Sequence, residues 1–199
     1  VAGFIGFQLA RALLAAGEPV IGVDCLVPYY RLDLKEARLA ALAGPGFGLA
    51  RTDFADMGAL DAAVAAAEAQ LGRVTRIAHL GAQPGVRWSI DHPHDYARSN
   101  LVGHLNLLEL ARRLQVPMVY ASSSSVYGGN ETLPFRVEDR VDRPISLYAA
   151  TKKADELLSE SYAHLYRIPL TGLRFFTVYG PWGRPDMAVW HFTESCLAG

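Results

Sequence analysis

Tyr148 and Lys152 stand four residues apart in the run Tyr148-Ala149-Ala150-Thr151-Lys152. On a helix that spacing puts both side chains on one face. A tyrosine hydroxyl ordinarily titrates at about 10. Nearby positive charge, from a lysine ammonium or an oxidised nicotinamide, favours its phenolate form. Such a phenolate can take the proton of a hydroxyl group while hydride leaves the carbon that bears it. A third group must hold the reacting oxygen. Ser122-Ser123-Ser124-Ser125 lies 23 to 26 residues upstream, just past the end of an apolar run that reads as a strand. If extended backbone continues there, Ser123 and Ser125 point the same way. Tyr-x-x-x-Lys alone also fits a solvated helix face. The strand, the serines and a glycine turn in this chain order favour the chemical reading.

That turn is Gly3-Phe4-Ile5-Gly6, which opens the first helix. Small residues there let the backbone approach a pyrophosphate, and the helix N-terminus presents its N–H groups to it. Asp24 follows Gly6 by 18 residues, at the end of the next strand. A carboxylate there accepts hydrogen bonds from ribose hydroxyls and repels a 2′-phosphate, which favours NAD over NADP. Alone, two glycines and an aspartate could also mark an ordinary turn and strand end. Asp53 ends the following strand, where it either reaches the adenine edge or caps a turn.

These residues need a scaffold, and the apolar spacing supplies one. Helical periodicity predicts helices over 4–16, 32–43, 57–71, 94–114, 146–166 and 187–198, with Gly17 closing the first and Asp56 capping the third. Apolar runs predict strands over 19–24, 47–52, 76–80, 116–122 and 169–176. Alternation of the two predicts an α/β fold, a Rossmann-like doubly wound parallel sheet. Such a sheet starts with a central strand just before its first helix, yet this chain opens on the helix. The expectation is therefore a single NAD-binding domain over 1–199, truncated at both ends.

Composition narrows the partners. The 199 residues are 51% hydrophobic and 20% charged, enough for a sizeable core. Lys plus Arg is 19 against 20 Asp plus Glu, a net charge of −1, so a phosphate backbone is a poor partner. No apolar run reaches the length of a membrane span. Cys25 and Cys196 make neither a disulfide framework nor a metal site, which suits the reducing cytoplasm. His92 and His94 have no third ligand beside them, and His79, His104, His164 and His191 read as structural. Trp88 and Trp182 are either substrate-side or packing aromatics.

The segments GFIG (3–6), DYARSN (95–100), YASSSSVYG (120–128), SLYAATKKA (146–154) and LRFFTVYGPWGRPDM (173–187) together resemble the extended short-chain dehydrogenase/reductases. Within them the chain is most similar to the NAD-dependent nucleotide-sugar 4-epimerases that act on UDP-glucuronate. The similarity runs through nearly the whole chain, and the last two segments are specific to the uronate branch. By position, the resemblance implies that Gly3, Phe4, Ile5 and Gly6 form the pyrophosphate turn and Asp24 the ribose carboxylate. It gives Asp53 and Phe54 to the adenine, and Leu80, Gly81 and Ala82 to the strand end lining the cofactor. Asn100 packs near the cofactor and Phe175 beside the nicotinamide. Tyr148 and Lys152 become the catalytic pair, with Ser123 and Ser125 assisting at the reacting carbon. Thr177, Arg87 and Arg184 become substrate contacts, an arginine fork being suited to carboxylate or phosphate.

Two departures stand out. Cys25 replaces the family's usual asparagine, and Gly81-Ala82 replaces Ala-Ala, a mild loosening. The family is also much longer, its C-terminal lobe carrying most of the UDP-binding surface. The resemblance implies C4 inversion of a UDP-sugar through a 4-keto intermediate, in a homodimer. Decarboxylation of UDP-glucuronate and epimerisation of UDP-glucose are the alternatives, with an inactive NAD-binding fragment as the non-enzyme reading. A 4,6-dehydratase is disfavoured, since Ser124 and Ser125 stand where that chemistry uses Asp-Glu.

Overall fold

The computed structural model describes residues 1–199. Its elements alternate as expected: α1 (Phe4–Ala15), β1 (Val20–Val23), α2 (Leu32–Leu42), β2 (Phe47–Ala50), α3 (Met57–Leu71), β3 (Ile77–His79), α4 (Trp88–Asp91), α5 (Pro93–Tyr96), α6 (Gly103–Leu114), β4 (Met118–Ser123), α7 (Leu147–Tyr166), β5 (Leu170–Phe175) and α8 (Ala188–Ala198). A π-helical turn, Ala97–Val102, joins α5 to α6, and a 3-10 turn, Ser124–Tyr127, follows β4.

Local chemistry sets several of these boundaries. Gly17, at φ 80°, turns the chain out of α1, and the N–H of Glu18 returns to the Leu13 carbonyl at 3.0 Å. Asp56 caps α3 by accepting from the N–H of Ala59 at 3.0 Å. Ser146 caps α7 in the same way through Ala149, at 3.1 Å, two residues before Tyr148.

All strand pairs are parallel. β1 pairs with β2 in the register Val20↔Phe47 to Val23↔Ala50. β4 lies between β3 and β5, with His79↔Tyr120 on one side and Ser123↔Phe175 on the other. β1 and β3 do not pair, so the sheet stands in two blocks. In the doubly wound order 3-2-1-4-5-6 the first strand lies between the second and the fourth. The break falls at that place, and Val1 sits beside it, its amino group donating to the Val23 carbonyl at 3.0 Å.

The main core joins Leu60 and Val64 of α3 to Leu107, Leu108, Leu110 and Ala111 of α6, on Met118 and Tyr120 of β4. Phe7 and Ala10 of α1 pack with Leu42 of α2 in a smaller cluster against Val20 and Phe47. α8 buries none of its residues.

The helix expected over 94–114 is not uniform. It starts at Pro93, and its backbone stays helical through Val102, but the π turn shifts the register before α6. Such bulges are rare and frequent at functional sites. This one carries Asn100, which is almost fully buried and bonded on both sides.

Candidate active site

Seven of the site residues named from the sequence lie at or just beyond the C-terminal ends of parallel strands. Asp24 follows β1, Asp53 follows β2, and Leu80, Gly81 and Ala82 follow β3. Ser123 ends β4, and Phe175, its register partner, ends β5. In an open α/β sheet the ligand crevice is found along that edge.

The glycine turn suits an anion. Gly3 stands in extended backbone before α1, and no side chain caps the first turn, which also lacks any acidic residue. The N–H groups at that end of Phe4 and Ile5 are therefore available, with the positive end of the helix dipole behind them. A Cβ on Gly3 would meet nothing within 4 Å, whereas one on Gly6 would press on the Val1 backbone at 3.2 Å. Gly3 thus leaves open space at the turn, and Gly6 admits the chain that crosses behind it.

Asp24 is tied to the same turn. Its Oδ2 accepts from the N–H of Ala2 at 2.9 Å and from the Val1 amino group at 3.0 Å, and its Oδ1 from the N–H of Leu26 at 2.9 Å. Burial pushes its carboxyl up, while the N–H donors of Leu26 and Ala2 pull it down. Asp53 takes the turn role: its Oδ1 accepts from Ala55 at 2.9 Å, and its Oδ2 pairs with Arg98 at 2.8 Å. Phe54 packs edge-on against His79, with ring centroids 5.3 Å apart.

Gly81, expected as a mild loosening, lies against the Phe54 ring: a Cβ there would lie 2.6 Å from Phe54 Cε1, so the ring would have to shift to admit it. The ring also fills the space over Gly103, where a Cβ would press on the same ring, so Phe54 packs against glycine on both the β3 edge and the start of α6.

Around Tyr148 and Lys152 the structure brings four elements together. Lys152 is buried, and its Nζ donates to the Ala121 carbonyl of β4 at 3.0 Å and to Asp155 Oδ2 at 3.1 Å. Tyr148 is half-buried beside Tyr96, rings edge-on at 6.1 Å. Tyr96 is fully buried and donates to the carbonyls of Pro84 and Gly85. Asn100 accepts from the Gln83 N–H at 2.8 Å and donates to Thr151 Oγ1 at 2.9 Å. Tyr96 and Asn100 therefore lock the loop after β3 to the helix that carries Tyr148 and Lys152.

The serines do not alternate as extended backbone would. The strand ends at Ser123, and Ser124–Tyr127 coils into a 3-10 turn. Ser123 Oγ accepts from the N–H of Ser125 at 3.2 Å, so the two serines are held by a local bond rather than by pleat. Ser122 is committed elsewhere: its Oγ donates to Glu156 Oε1 at 2.7 Å, and Arg174 grips the same carboxylate.

The candidate substrate residues are more scattered. Thr177 is exposed two residues beyond β5, and Arg87 is exposed before α4. Arg184 is folded onto Asp186 at 3.1 Å and Met187 Sδ at 3.2 Å, away from the extended fork expected of it. Of the two tryptophans weighed above, Trp182 lies on Phe7 at 5.3 Å and Trp88 stacks on His92 at 3.9 Å, each with part of its ring exposed.

Sequence reasoning missed Arg38. It is fully buried in α2 and meets no carboxylate. Its guanidinium donates to the Ala2 carbonyl at 3.0 Å, the Tyr30 hydroxyl at 2.6 Å and the Trp182 carbonyl at 2.6 Å. Gln8 adds a bond to the Pro181 carbonyl at 2.8 Å. Together they strap the loop after β5 over the glycine turn. An arginine on a helix with acidic neighbours reads as solvated, so no sequence signal marked it.

The whole chain, residues 1–199, matches the NAD dependent epimerase/dehydratase family. The chain belongs to that family. It is 50% identical over 200 residues to a probable UDP-glucuronate 4-epimerase of Rhizobium meliloti (strain 1021), covering 100% of this chain and 57% of the relative. It is 46% identical over 200 residues to UDP-glucuronate 4-epimerase 4 of Arabidopsis thaliana, covering 100% of this chain and 45% of that one. The crystal structure of UDP-glucuronic acid 4-epimerase from Bacillus cereus, in complex with UDP-glucuronic acid and NAD, superposes with a TM-score of 0.85 at 32% identity. That match covers 99% of this chain and 61% of the other. The chain therefore spans about half to three fifths of the length of these relatives. The family's cofactor is NAD, and the uncapped glycine turn with Asp24 beside it is a donor and acceptor set that fits a dinucleotide. No helix is long and apolar enough to cross a membrane.

Proposed function

We propose that the protein carrying this chain inverts C4 of a UDP-sugar, converting UDP-glucuronate to UDP-galacturonate. The observation that carries this reading is the Tyr148–Lys152 helix locked beside the Ser123 end of β4, in a chain 46–50% identical to proteins named for that reaction. This chain forms the cofactor-binding part.

Gly3, Phe4, Ile5, Gly6 and Asp24 would hold the pyrophosphate and ribose, with Asp53, Phe54, Leu80, Gly81, Ala82, Asn100 and Phe175 lining the remainder. When bound, NAD supplies the acceptor and then the donor of one hydride at C4. Tyr148 takes the C4 hydroxyl proton as a general base, its phenolate favoured by the Lys152 ammonium. Ser123 and Ser125 hold the same oxygen by hydrogen bonds. After the 4-keto sugar turns over in the site, Tyr148 returns the proton to the oxygen on the other face. Because a 4-keto uronate is a β-keto acid, Ser125, Thr177, Arg87 and Arg184 must hold its carboxylate where carbon dioxide does not leave. Engaging the carboxylate requires Arg184 to exchange Asp186 for the substrate.

The apolar side chains left exposed on α6 and α7, among them Leu105, Leu157 and Leu165, support a dimer built on those helices. Two free, exposed cysteines support a reducing, cytoplasmic setting.

The test gives the intact protein UDP-glucuronate with no added NAD and follows the products by NMR. UDP-galacturonate is the expected product. A UDP-pentose with carbon dioxide would replace the reading by decarboxylation. Turnover of UDP-glucose alone would overturn the uronate assignment.

A further inference from the structure

The lysine of the candidate catalytic pair has its back to a buried carboxylate that the mechanism above does not use. Asp155 lies one turn along α7 from Lys152, and both side chains are buried, at 0% and 2% exposure. Oδ2 of Asp155 accepts from Lys152 Nζ at 3.1 Å. Its Oδ1 is buried and has no partner. A carboxylate is seldom left half-satisfied in an apolar interior, since its desolvation is offset only by full hydrogen bonding or charge pairing. Here the only cation that faces it is Lys152.

The surroundings are neutral or already committed. On α6, His104 lies behind the pair with its Nε2 at 2.9 Å from Ser159 Oγ. On β3, His79 stacks on His104 at 5.3 Å, and on β4, Tyr120 packs edge-on against the same ring. Burial, with Lys152 adding to it, pushes His104 down to about 3, and burial together with His104 and Lys152 pushes His79 well below its ordinary value. Both imidazoles are therefore neutral near pH 7. On α7, Glu156 is gripped by Arg174 and Ser122. Burial raises the Tyr120 phenol, so it stays protonated as well.

We propose that Asp155 is a positioning residue that holds the Lys152 ammonium on the Ala121 carbonyl and offsets part of its charge, thereby setting how strongly Lys152 favours the Tyr148 phenolate. This rests on the Tyr148–Lys152 reading above. Burial raises the Asp155 carboxyl to about 6, against the opposing pull of Lys152. Near neutral pH the offset is therefore present, and it is withdrawn as the pH falls below 6.

The test uses Asp155→Asn in the intact protein, which keeps the shape and the acceptor and removes the charge. With the full lysine charge exposed to Tyr148, the acid limb of the kcat profile should move down by about one pH unit. A folded Asp155→Asn variant with an unmoved profile overturns the proposal. A second readout needs neither substitution nor turnover. In the wild-type protein without cofactor, the Lys152 Nζ resonance should shift with a midpoint near pH 6, as Asp155 gains its proton. A resonance flat from pH 5 to 7 overturns the proposal even where Asp155→Asn fails to fold. Failure of the underlying reading looks different: turnover would survive Tyr148→Phe, while the Lys152 resonance would still report Asp155.

Discussion

Arg38 Nη2 donates to the carbonyl of Trp182 at 2.6 Å, joining residues 144 positions apart in the sequence. The same guanidinium donates to the Ala2 carbonyl, so one side chain ties the glycine turn to the loop that leads to Arg184. The glycine turn and the loop after β5 are thus held from one buried point. Arg38→Lys keeps the charge but cannot span these acceptors with a single ammonium. Leaving the buried Ala2 carbonyl unpaired costs about 1–3 kcal/mol, and the half-exposed Trp182 carbonyl less. Urea unfolding should show a loss of stability on that scale, and purified protein should lose retained NAD absorbance. Unchanged stability together with full NAD retention would refute the strap.

Tyr148→Phe separates chemistry from architecture. The Tyr148 hydroxyl bonds to no protein group, while its ring packs on Tyr96. The substitution should therefore leave the melting temperature nearly unchanged and NAD retained. A positioned general base contributes roughly 10²–10⁴ in rate, and turnover of UDP-glucuronate should fall by at least that factor. Wild-type turnover in the variant would remove Tyr148 from the mechanism.

Gly81→Ala should be destabilising because its Cβ would lie 2.6 Å from Phe54 Cε1. Overpacking of this kind typically costs about 1–3 kcal/mol. Phe54→Leu in the same chain should recover much of that loss, since the clash is with one ring. A double-mutant cycle by thermal unfolding measures the coupling. Additive effects of the two substitutions would show that the glycine answers to something other than Phe54.

Much of this was legible because apolar periodicity is a one-dimensional record of burial. All five strands and the helices bearing Tyr148, Met57 and Phe4 fall within a few residues of their expected bounds. Several of the misses depend on a partner distant in the chain. The π turn at Ala97–Val102 accompanies Asn100's bonds to Gln83 and Thr151, and no local spacing encodes that. Ser124 coils because Ser123 caps the turn, whereas a serine run favours neither strand nor helix. Arg38 and Asp155 sit among charged neighbours on helices, a pattern that does not set them apart from a solvated face, yet both are fully buried. Gly81 looked permissive until Phe54, 27 positions earlier, was placed against it.

Two buried groups should give the stability curve opposing slopes in pH. Burial, helped by Lys152, lowers the His104 imidazole from 6.5 to about 3. Its folded value lies below its unfolded one, so the stability it contributes is complete above pH 6.5 and is lost as the pH falls toward 3. Asp155 behaves in the opposite sense. Its folded value, about 6, lies above its ordinary 3.8, so its contribution is complete below 3.8 and is lost as the pH rises through 6. His104→Gln removes the first titration while keeping a polar group for Ser159. The variant should lose less stability than wild type between pH 6.5 and 4, and Asp155→Asn should lose less between pH 4 and 7. Urea midpoints collected across that range at constant ionic strength check both. If His104→Gln and wild type run parallel from pH 6.5 to 4, His104 is not held neutral by the fold, and the dry block behind Lys152 is wetter than its packing implies.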